Sequence, residues 1–215
     1  MIYSALAWYE RPPRSLRSLP PEGEQASLGV ARRAAMTTID NRARDVRLLT
    51  CDVDGVLTDG RVYVDDDGRE SKAFHALDGL GLRMLADAGI AVAWITGSSA
   101  PAVTHRARLL DVKHVILNAH DKLTAWRALA ESLGVAPAHC AHIGDDLPDL
   151  PVMAQCGFAV TVPHAPHAVR TRAHYVTIRG GGQGAVRELA ELILAAQGKL
   201  PDADVARPVP GFLPR

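Results

Sequence analysis

Two aspartates separated by one residue follow a short apolar run. Leu48–Cys51 is apolar apart from one threonine, and Asp52 and Asp54 come directly after it. On a strand, residues two apart point to the same face, so the two carboxylates converge unless the backbone turns between them. Close carboxylates repel each other and raise each other's pKa, and a bound cation is the simplest way to keep both useful. The pair predicts metal-dependent chemistry at the end of a buried strand.

Three further segments carry polar side chains at the ends of predicted elements. Thr96 and Gly97 follow an apolar run, Lys122 begins a predicted helix, and Asp145 and Asp149 lie in a Gly-Asp-Asp-Leu-Pro-Asp segment. Each segment alone has an ordinary explanation, because a Thr-Gly pair is often a turn and a lysine at a helix start is usually solvated. Their occurrence together, in this order, favours a catalytic site.

The order and the strand-end positions of these four segments resemble the motifs of the haloacid dehalogenase superfamily, over roughly residues 46–197. Most members of that superfamily are magnesium-dependent phosphohydrolases. The resemblance implies that Asp52 attacks phosphorus to form an aspartyl-phosphate, and that Asp54 protonates the leaving alkoxide and then activates water. Thr96 and the amide of Gly97 would bind phosphate oxygens, and Lys122 would offset the negative charge. The predicted catalytic residues are Asp52, Asp54, Thr96 and Lys122, and the predicted substrate-binding residues are Asp54, Thr96, Gly97 and Lys122.

The same resemblance implies a Mg²⁺ site. Its protein ligands would be a carboxylate oxygen of Asp52, the backbone carbonyl of Asp54 and the carboxylate of Asp145, with Asp149 orienting this group. A phosphate oxygen and water molecules would complete the octahedral coordination that Mg²⁺ prefers.

Two other patterns are not assigned to ligand binding. His139 and His142 lie three apart on a predicted strand and face opposite sides, so a shared zinc ion is not expected. Gly180–Gly182 lacks the Lys-Ser/Thr sequence of a phosphate-binding P-loop, so we interpret it as a flexible loop before the last helix.

Apolar runs alternate with helical patterns along the chain, which predicts an α/β fold with a parallel, Rossmann-like sheet and helices on both faces. The predicted strands are Val46–Cys51, Ile90–Ile95, His114–Leu117, Cys140–Ile143 and Phe158–Val162. The predicted helices are Leu80–Ala88, Pro101–Leu110, Lys122–Leu133, Leu147–Gln155 and Gly184–Ala196. Ligands of such sheets bind beyond the carboxyl ends of the strands, which is where Asp52, Thr96 and Asp145 are expected.

A β-hairpin interrupts this alternation at Arg61–Phe74, with a turn around Gly68. The remaining spacing between the motifs leaves no room for an inserted cap domain. Together with Phe74–Gly81 and Gly181–Glu188, this capless architecture resembles the 3-deoxy-D-manno-octulosonate 8-phosphate phosphatase family, whose tetrameric members serve lipopolysaccharide biosynthesis and use neighbouring subunits as the cap. We therefore expect a homotetramer assembled through the hairpins, in which a neighbour's C-terminal segment closes the site.

One position departs from that family. Its members usually continue Ile-Thr-Gly with arginine, whereas this chain has Ser98 and lacks that bidentate anion-binding group. The alternatives are therefore a phosphatase of another sugar phosphate, such as an acylneuraminate 9-phosphate, or a catalytically silent regulatory domain. The presence of Asp52, Asp54, Lys122 and Asp145 argues against the silent domain.

Composition limits the remaining function classes. The chain has 215 residues, of which 47% are hydrophobic, enough for one sizeable core. Lys plus Arg and Asp plus Glu are equal at 24 each, so no basic surplus recruits nucleic acid or an acidic membrane. The three cysteines form no C-x-x-C pair, which suits a reducing compartment. We expect a soluble, cytoplasmic protein that acts on a small sugar phosphate.

Three regions are predicted along the chain. Residues 1–45 contain several prolines and no sustained hydrophobic period, which predicts a disordered N-terminal extension. Residues 46–198 form the phosphatase domain, and residues 199–215 form a proline-rich C-terminal tail. Because Met36 precedes the first predicted strand, we expect residues 1–35 to be dispensable.

Overall fold

A parallel six-stranded sheet lies at the centre of the computed structural model, which describes residues 38–200. Its six strands are β1 (Leu48–Cys51), β4 (Ala91–Ile95), β5 (His114–Ile116), β6 (Cys140–Ile143), β7 (Phe158–Thr161) and β8 (Tyr175–Val176). Two further strands, β2 (Tyr63–Val64) and β3 (Glu70–Ser71), form a separate two-stranded sheet. The sheet order is β5-β4-β1-β6-β7-β8, and every neighbouring pair is parallel. The predicted α/β fold is confirmed. Because β1 lies between β4 and β6, the segments that follow these three strands meet at one edge of the sheet.

Helices connect the strands. They are α1 (residues 38–44), α2 (Ala76–Asp87), α3 (Pro101–Leu109), α4 (Lys122–Ser132), α5 (Leu150–Met153), α6 (His167–Arg170) and α7 (Ala185–Ala196). The buried carboxylate of Asp78 on α2 accepts hydrogen bonds from the backbone N–H of Arg187 at 2.8 Å and of Gly184 at 3.3 Å. These bonds satisfy free N–H groups at the start of α7 and join α7 to α2. Within residues 38–200, no helix combines the length and the apolarity needed to cross a bilayer.

The core is built on both faces of the sheet. All four residues of β1 are buried, as expected for a central parallel strand that is covered on both sides. Trp94, Trp126 and Phe158 are among the largest fully buried side chains. The ring of Phe74 stacks on Trp94 with centroids 6.0 Å apart, and this contact anchors the base of the hairpin to the sheet.

The predicted hairpin is present as β2 and β3, which pair antiparallel over two residues each. Apolar side chains in and just before its first strand project into solvent, since Val64 is 62% exposed and Val62 is 71% exposed. An isolated two-stranded hairpin of this size is marginal in water. The hairpin therefore depends on its anchor at Phe74 and on contacts at the catalytic edge.

The predicted domain start requires a correction. Part of the segment assigned to a disordered extension, residues 38–44, is helical, and Ala43 is fully buried. The guanidinium of Arg42 donates to the carbonyl of Gly157 at 2.5 Å. The ordered domain thus includes residues before 46. The prediction missed this helix because a single short helix has too few turns for a hydrophobic period to be visible. Residues 1–37 and 201–215, with most of the predicted extension and tail, lie outside the described residues.

Two predicted elements also differ. The helix predicted at Leu147–Gln155 is a 3₁₀ turn at Leu147–Asp149 followed by the short helix α5. Pro148 and Pro151 provide no N–H donors, which prevents one continuous helix. β8 was not predicted, because a two-residue edge strand is too short to produce an alternating pattern.

Candidate active site

Asp52 begins the loop that leaves the carboxyl end of β1. Its backbone N–H donates to the carbonyl of Ile143 at 2.9 Å, which continues the pairing of β1 with β6 by one residue. The loop then turns at Gly55, where φ is +90°. A Cβ at this position would lie 2.0 Å from a carboxylate oxygen of Asp145, so a glycine is required here. This turn directs the side chains of Asp52 and Asp54 to different partners.

A buried ion-pair chain holds Asp52. The ammonium of Lys122 lies 2.9 Å from Oδ1 of Asp52 and 2.7 Å from Oδ1 of Asp149. Burial lowers the pKa of Lys122, but the charges of the two aspartates outweigh burial and raise it above its ordinary value. Lys122 therefore stays charged, at the first residue of α4, beside the carboxylate expected to act as nucleophile.

Three carboxylates converge around this lysine. Oxygen atoms of Asp52, Asp145 and Asp149 lie within 4.8 Å of one another. Burial and the charge of Asp149 raise the pKa of Asp52 to about 7, against the opposing effect of Lys122, and burial and Asp149 raise the pKa of Asp145 to about 6. Two of the carboxylates thus hold protons more tightly than usual, so a divalent cation between them would keep them ionised. An all-oxygen cluster of this kind fits Mg²⁺.

Asp149 is already saturated by donors from the protein. Its Oδ1 accepts from Lys122 and from Nε2 of His142 at 3.0 Å, and its Oδ2 accepts from the backbone N–H groups of Asp145 at 3.2 Å and Asp146 at 3.3 Å. Burial alone would raise the pKa of Asp149, but the hydrogen bond and charge of His142 and the charge of Lys122 lower it to about 2. These contacts support the predicted orienting role, because they leave Asp52 and Asp145 as the more available ligands.

The sequence reasoning missed the contribution of His142. This fully buried histidine bridges Asp149 to Oγ1 of Thr50, which lies 2.8 Å from Nδ1. His139, by contrast, is only partly buried, with Nδ1 3.1 Å from the carbonyl of Asp45. A histidine on a strand carries no sequence signal for such a role, because its partner Asp149 lies seven residues further along, beyond a turn.

Thr96 follows β4, which neighbours β1 on the side away from β6. Its side chain is buried, and Oγ1 accepts a hydrogen bond from the backbone N–H of Ser98 at 3.0 Å, so the hydroxyl hydrogen can donate elsewhere. A Cβ placed on Gly97 would meet no atom within 4 Å, so the space next to its backbone is open. β1 and β4 pair in register from Leu48 and Ala91 onwards, which brings Thr96 to the same edge as Asp52.

Asp54 has a partner that was not predicted from the sequence. Its Oδ1 lies 2.5 Å from the ammonium of Lys72, which follows β3 at the base of the hairpin. Lys72 also contacts Oε1 of Glu70 at 2.7 Å. Burial lowers the pKa of Lys72, but the hydrogen bonds and charges of Asp54 and Glu70 outweigh burial and raise it. The hairpin thus places a charged lysine against the carboxylate predicted to be the general acid.

The glycine-rich segment Gly180–Gly182 packs against the loop that follows Asp54. The backbone N–H of Gly182 donates to the carbonyl of Val56 at 3.0 Å. A Cβ on Gly181 would lie 1.8 Å from the carbonyl oxygen of Gly55, so only glycine permits this approach. The segment interpreted as a flexible loop instead supports the backbone of the catalytic turn.

Comparison with known proteins agrees with this geometry. A family model of haloacid dehalogenase-like hydrolases matches residues 82–187. The 3-deoxy-D-manno-octulosonate 8-phosphate phosphatase of Yersinia pestis is 48% identical over 162 residues, covering 75% of this chain and 87% of that protein. The phosphatase of the same name from Escherichia coli K12 is 43% identical over 178 residues, with 83% and 95% coverage. The structure of the Moraxella catarrhalis phosphatase of that name, in complex with magnesium, phosphate and KDO, is 45% identical with a TM-score of 0.75, and covers 77% of this chain and 95% of that one.

Proposed function

The chain belongs to the haloacid dehalogenase-like hydrolases, in the family of 3-deoxy-D-manno-octulosonate 8-phosphate phosphatases, and we propose that it hydrolyses that sugar phosphate to 3-deoxy-D-manno-octulosonate and phosphate. The observation that carries the proposal is the buried contact of Asp52 with Lys122, inside a cluster of three carboxylates. A phosphate monoester needs a nucleophile, a cation and a general acid in one place, and the carboxylates and the lysine at this edge of the sheet support such an arrangement.

Asp52 is the proposed nucleophile. Its carboxylate attacks phosphorus, the bond to the sugar oxygen breaks, and an aspartyl-phosphate forms on the enzyme. Asp54 gives its proton to the leaving sugar oxygen and then accepts a proton from the water that cleaves the aspartyl-phosphate. Lys122, the Thr96 hydroxyl and the Gly97 amide stabilise the negative charge on the phosphoryl oxygens.

Mg²⁺ is the proposed cofactor. The carboxylates of Asp52 and Asp145 and the backbone carbonyl of Asp54 would hold it, while Asp149 orients the surrounding groups. When bound, the ion supplies positive charge to the phosphoryl group during transfer. The acidic cluster supports this choice, as does the magnesium in the Moraxella structure.

The exposed hairpin supports assembly into a homotetramer. Val62 and Val64 present apolar surface that a second copy of the chain would bury, and closed symmetry would remove the free strand edges. The Asp54 and Gly97 side of the site is open in the single chain, so a neighbouring subunit would also act as its cap. We place the enzyme in the cytoplasm, in lipopolysaccharide biosynthesis, and its buried free cysteines suit a reducing compartment.

We further propose that residues 1–35 are dispensable. A chain starting at Met36 retains α1 and every described contact of the site. Its unfolding temperature and specific activity should match those of the full chain. A truncated protein that does not fold would contradict this proposal.

Release of phosphate from a panel of sugar phosphates, with and without Mg²⁺, tests the function. The panel should include 3-deoxy-D-manno-octulosonate 8-phosphate and an acylneuraminate 9-phosphate, because Ser98 changes the anion-binding surface of the site. We expect magnesium-dependent turnover, with the highest kcat/KM on the first substrate. A higher value on the second would reassign the substrate, and no turnover on any member of the panel would reject the enzyme class.

A further inference from the structure

Lys72 makes a long-range contact with the proposed general acid. Its side chain is only 5% exposed, although it belongs to a hairpin whose strands are exposed, whereas the side chain of Asp54 is 41% exposed. The two residues are 18 apart in sequence, and their charged atoms are 2.5 Å apart. A buried ammonium therefore reaches from the hairpin to a carboxylate at the open side of the site.

Within residues 38–200, Lys72 is the only hydrogen-bond or ion-pair partner of the Asp54 side chain. A half-exposed carboxylate in a loop rotates freely unless a directional contact restrains it. A charge-assisted hydrogen bond to a buried lysine provides such a restraint. Asp52 differs in this respect, because Lys122 and the surrounding core already hold it.

We propose that Lys72 is a positioning residue: its ammonium binds Oδ1 of Asp54 and so orients the carboxyl group, whose other oxygen carries the proton that passes to the leaving oxygen. The inference rests on the proposed function. It makes the hairpin part of the catalytic apparatus, because a displacement of β3 moves Lys72 and therefore Asp54. The hairpin is then both the proposed contact between subunits and the support of the acid.

A purely structural role for Lys72 makes a different prediction. Its contact with Glu70, two residues earlier, stabilises the hairpin without involving the chemistry. Loss of a hairpin contact would reduce turnover of all substrates by a similar factor. Loss of the acid's orientation would affect only substrates whose leaving oxygen needs a proton.

The test compares two substrates in Lys72→Met. The first is the sugar phosphate, whose alkoxide is a poor leaving group, and the second is 2,4-dinitrophenyl phosphate, whose phenolate leaves without a proton. The quantity measured is kcat/KM, which reports the steps up to loss of the alcohol and is insensitive to later hydrolysis of the aspartyl-phosphate. General acid catalysis contributes about 10²–10⁴-fold, so we expect a loss of at least about 10-fold on the sugar phosphate and less than about 2-fold on the aryl ester.

Three further variants complete the design. Lys72→Arg retains a cation and should recover part of the loss on the sugar phosphate, and Lys72→Gln repeats the test with a polar side chain in case Lys72→Met folds poorly. Arg69→Met is the matched control, because Arg69 is a hairpin cation that pairs with Asp65 and Asp67 and does not touch Asp54. It should leave the ratio of the two kcat/KM values unchanged.

The outcomes separate this proposal from the proposed function. If the wild-type protein hydrolyses the sugar phosphate but Lys72→Met and Lys72→Gln lose activity equally on both substrates, or on neither, Lys72 does not position the acid. If the wild-type protein turns over neither substrate in the presence of Mg²⁺, the proposed function itself fails and the positioning role fails with it.

Discussion

Replacement of His142 by phenylalanine should destabilise the catalytic site, because it removes a hydrogen bond to the buried carboxylate of Asp149. The ring of His142 is fully buried between Thr50 and Asp149, and phenylalanine, whose ring is somewhat larger, fills the same space while removing both nitrogen atoms. Asp149 then loses one of its four donors, and no water can replace it at a carboxylate with no exposed surface. The variant therefore removes the hydrogen bonds of the ring, to Thr50 and to Asp149, without opening a cavity.

The expected cost follows from that buried carboxylate. Leaving a buried acceptor without one partner costs about 1–3 kcal/mol, and because Asp149 keeps its three other donors we expect a loss near the middle of this range. For a chain of this size, each kcal/mol lowers the unfolding temperature by about 2–4 °C, so a loss of about 2 kcal/mol corresponds to about 4–8 °C. Because Asp149 also holds Lys122, we expect kcat/KM to fall as well, although by less than in a variant of Asp52.

Differential scanning calorimetry and steady-state kinetics measure the two effects on the same samples. His139→Phe is the matched control, since His139 lies nearby in sequence but is partly exposed, and its side chain bonds a backbone carbonyl rather than Asp149. It should shift the unfolding temperature by no more than about 1–2 °C, as is usual for surface positions. An unfolding temperature of His142→Phe equal to that of the wild type would show that the bond from His142 does not stabilise Asp149.

The remaining predictions concern the nucleophile, the metal site and the assembly. Asp52→Asn should abolish phosphate release and Asp54→Asn should slow it by about 10²–10⁴-fold with the fold intact by circular dichroism, whereas magnesium-dependent turnover by Asp52→Asn would refute the mechanism. Burial raises the pKa of Asp52 to about 7 and that of Asp145 to about 6. The metal-free protein should therefore lose stability as the pH rises through these values, because the folded state binds these protons more tightly than the unfolded chain. Mg²⁺ binds the ionised forms, so it should raise the unfolding temperature more at about pH 8 than at about pH 5. An equal shift at both values would contradict the assigned ligands. Val62→Lys with Val64→Lys should dissociate the proposed tetramer in light scattering, and should lower activity on the sugar phosphate more than on a small aryl phosphate; a fully active wild-type monomer would exclude this assembly.

The sequence predicted the parts of this molecule that local patterns encode. The strands before Asp52, Thr96 and Asp145 were identified because buried parallel strands read as short apolar runs, and their carboxyl ends place polar residues at one edge of the sheet. β8 and α6, of two and four residues, were missed because each spans about one period of its pattern, which is too little to recognise. The predicted helix Leu147–Gln155 is broken at Asp149 because Pro148 and Pro151 lack N–H donors. The sequence alone does not show this break, because a proline is also tolerated in the first turn of a helix.

Contacts between distant residues set the limit of sequence reasoning at the site. Nothing in the type or spacing of Lys72 indicates that it meets Asp54, and His142 was considered only as a metal ligand. Both contacts depend on how the hairpin and β6 sit against the β1 loop, which only the folded chain defines. Gly181 and Gly182 illustrate the same limit. They pack closely on the catalytic turn, but a run of glycines in the sequence is typical of a flexible loop.

The charges of the site explain why these hidden contacts matter. When ionised, Asp52, Asp145 and Asp149 place three negative charges around the ammonium of Lys122, so negative charge is in excess in this buried cluster even with His142 beside Asp149. Burial of uncompensated charge is costly, and the raised pKa values of Asp52 and Asp145 reflect that cost. A divalent cation would offset this excess and so reduce the repulsion of an approaching phosphate anion. His142 and the backbone N–H groups keep Asp149 ionised without adding to the excess, and the cation then acts on Asp52 and Asp145, the carboxylates that need it.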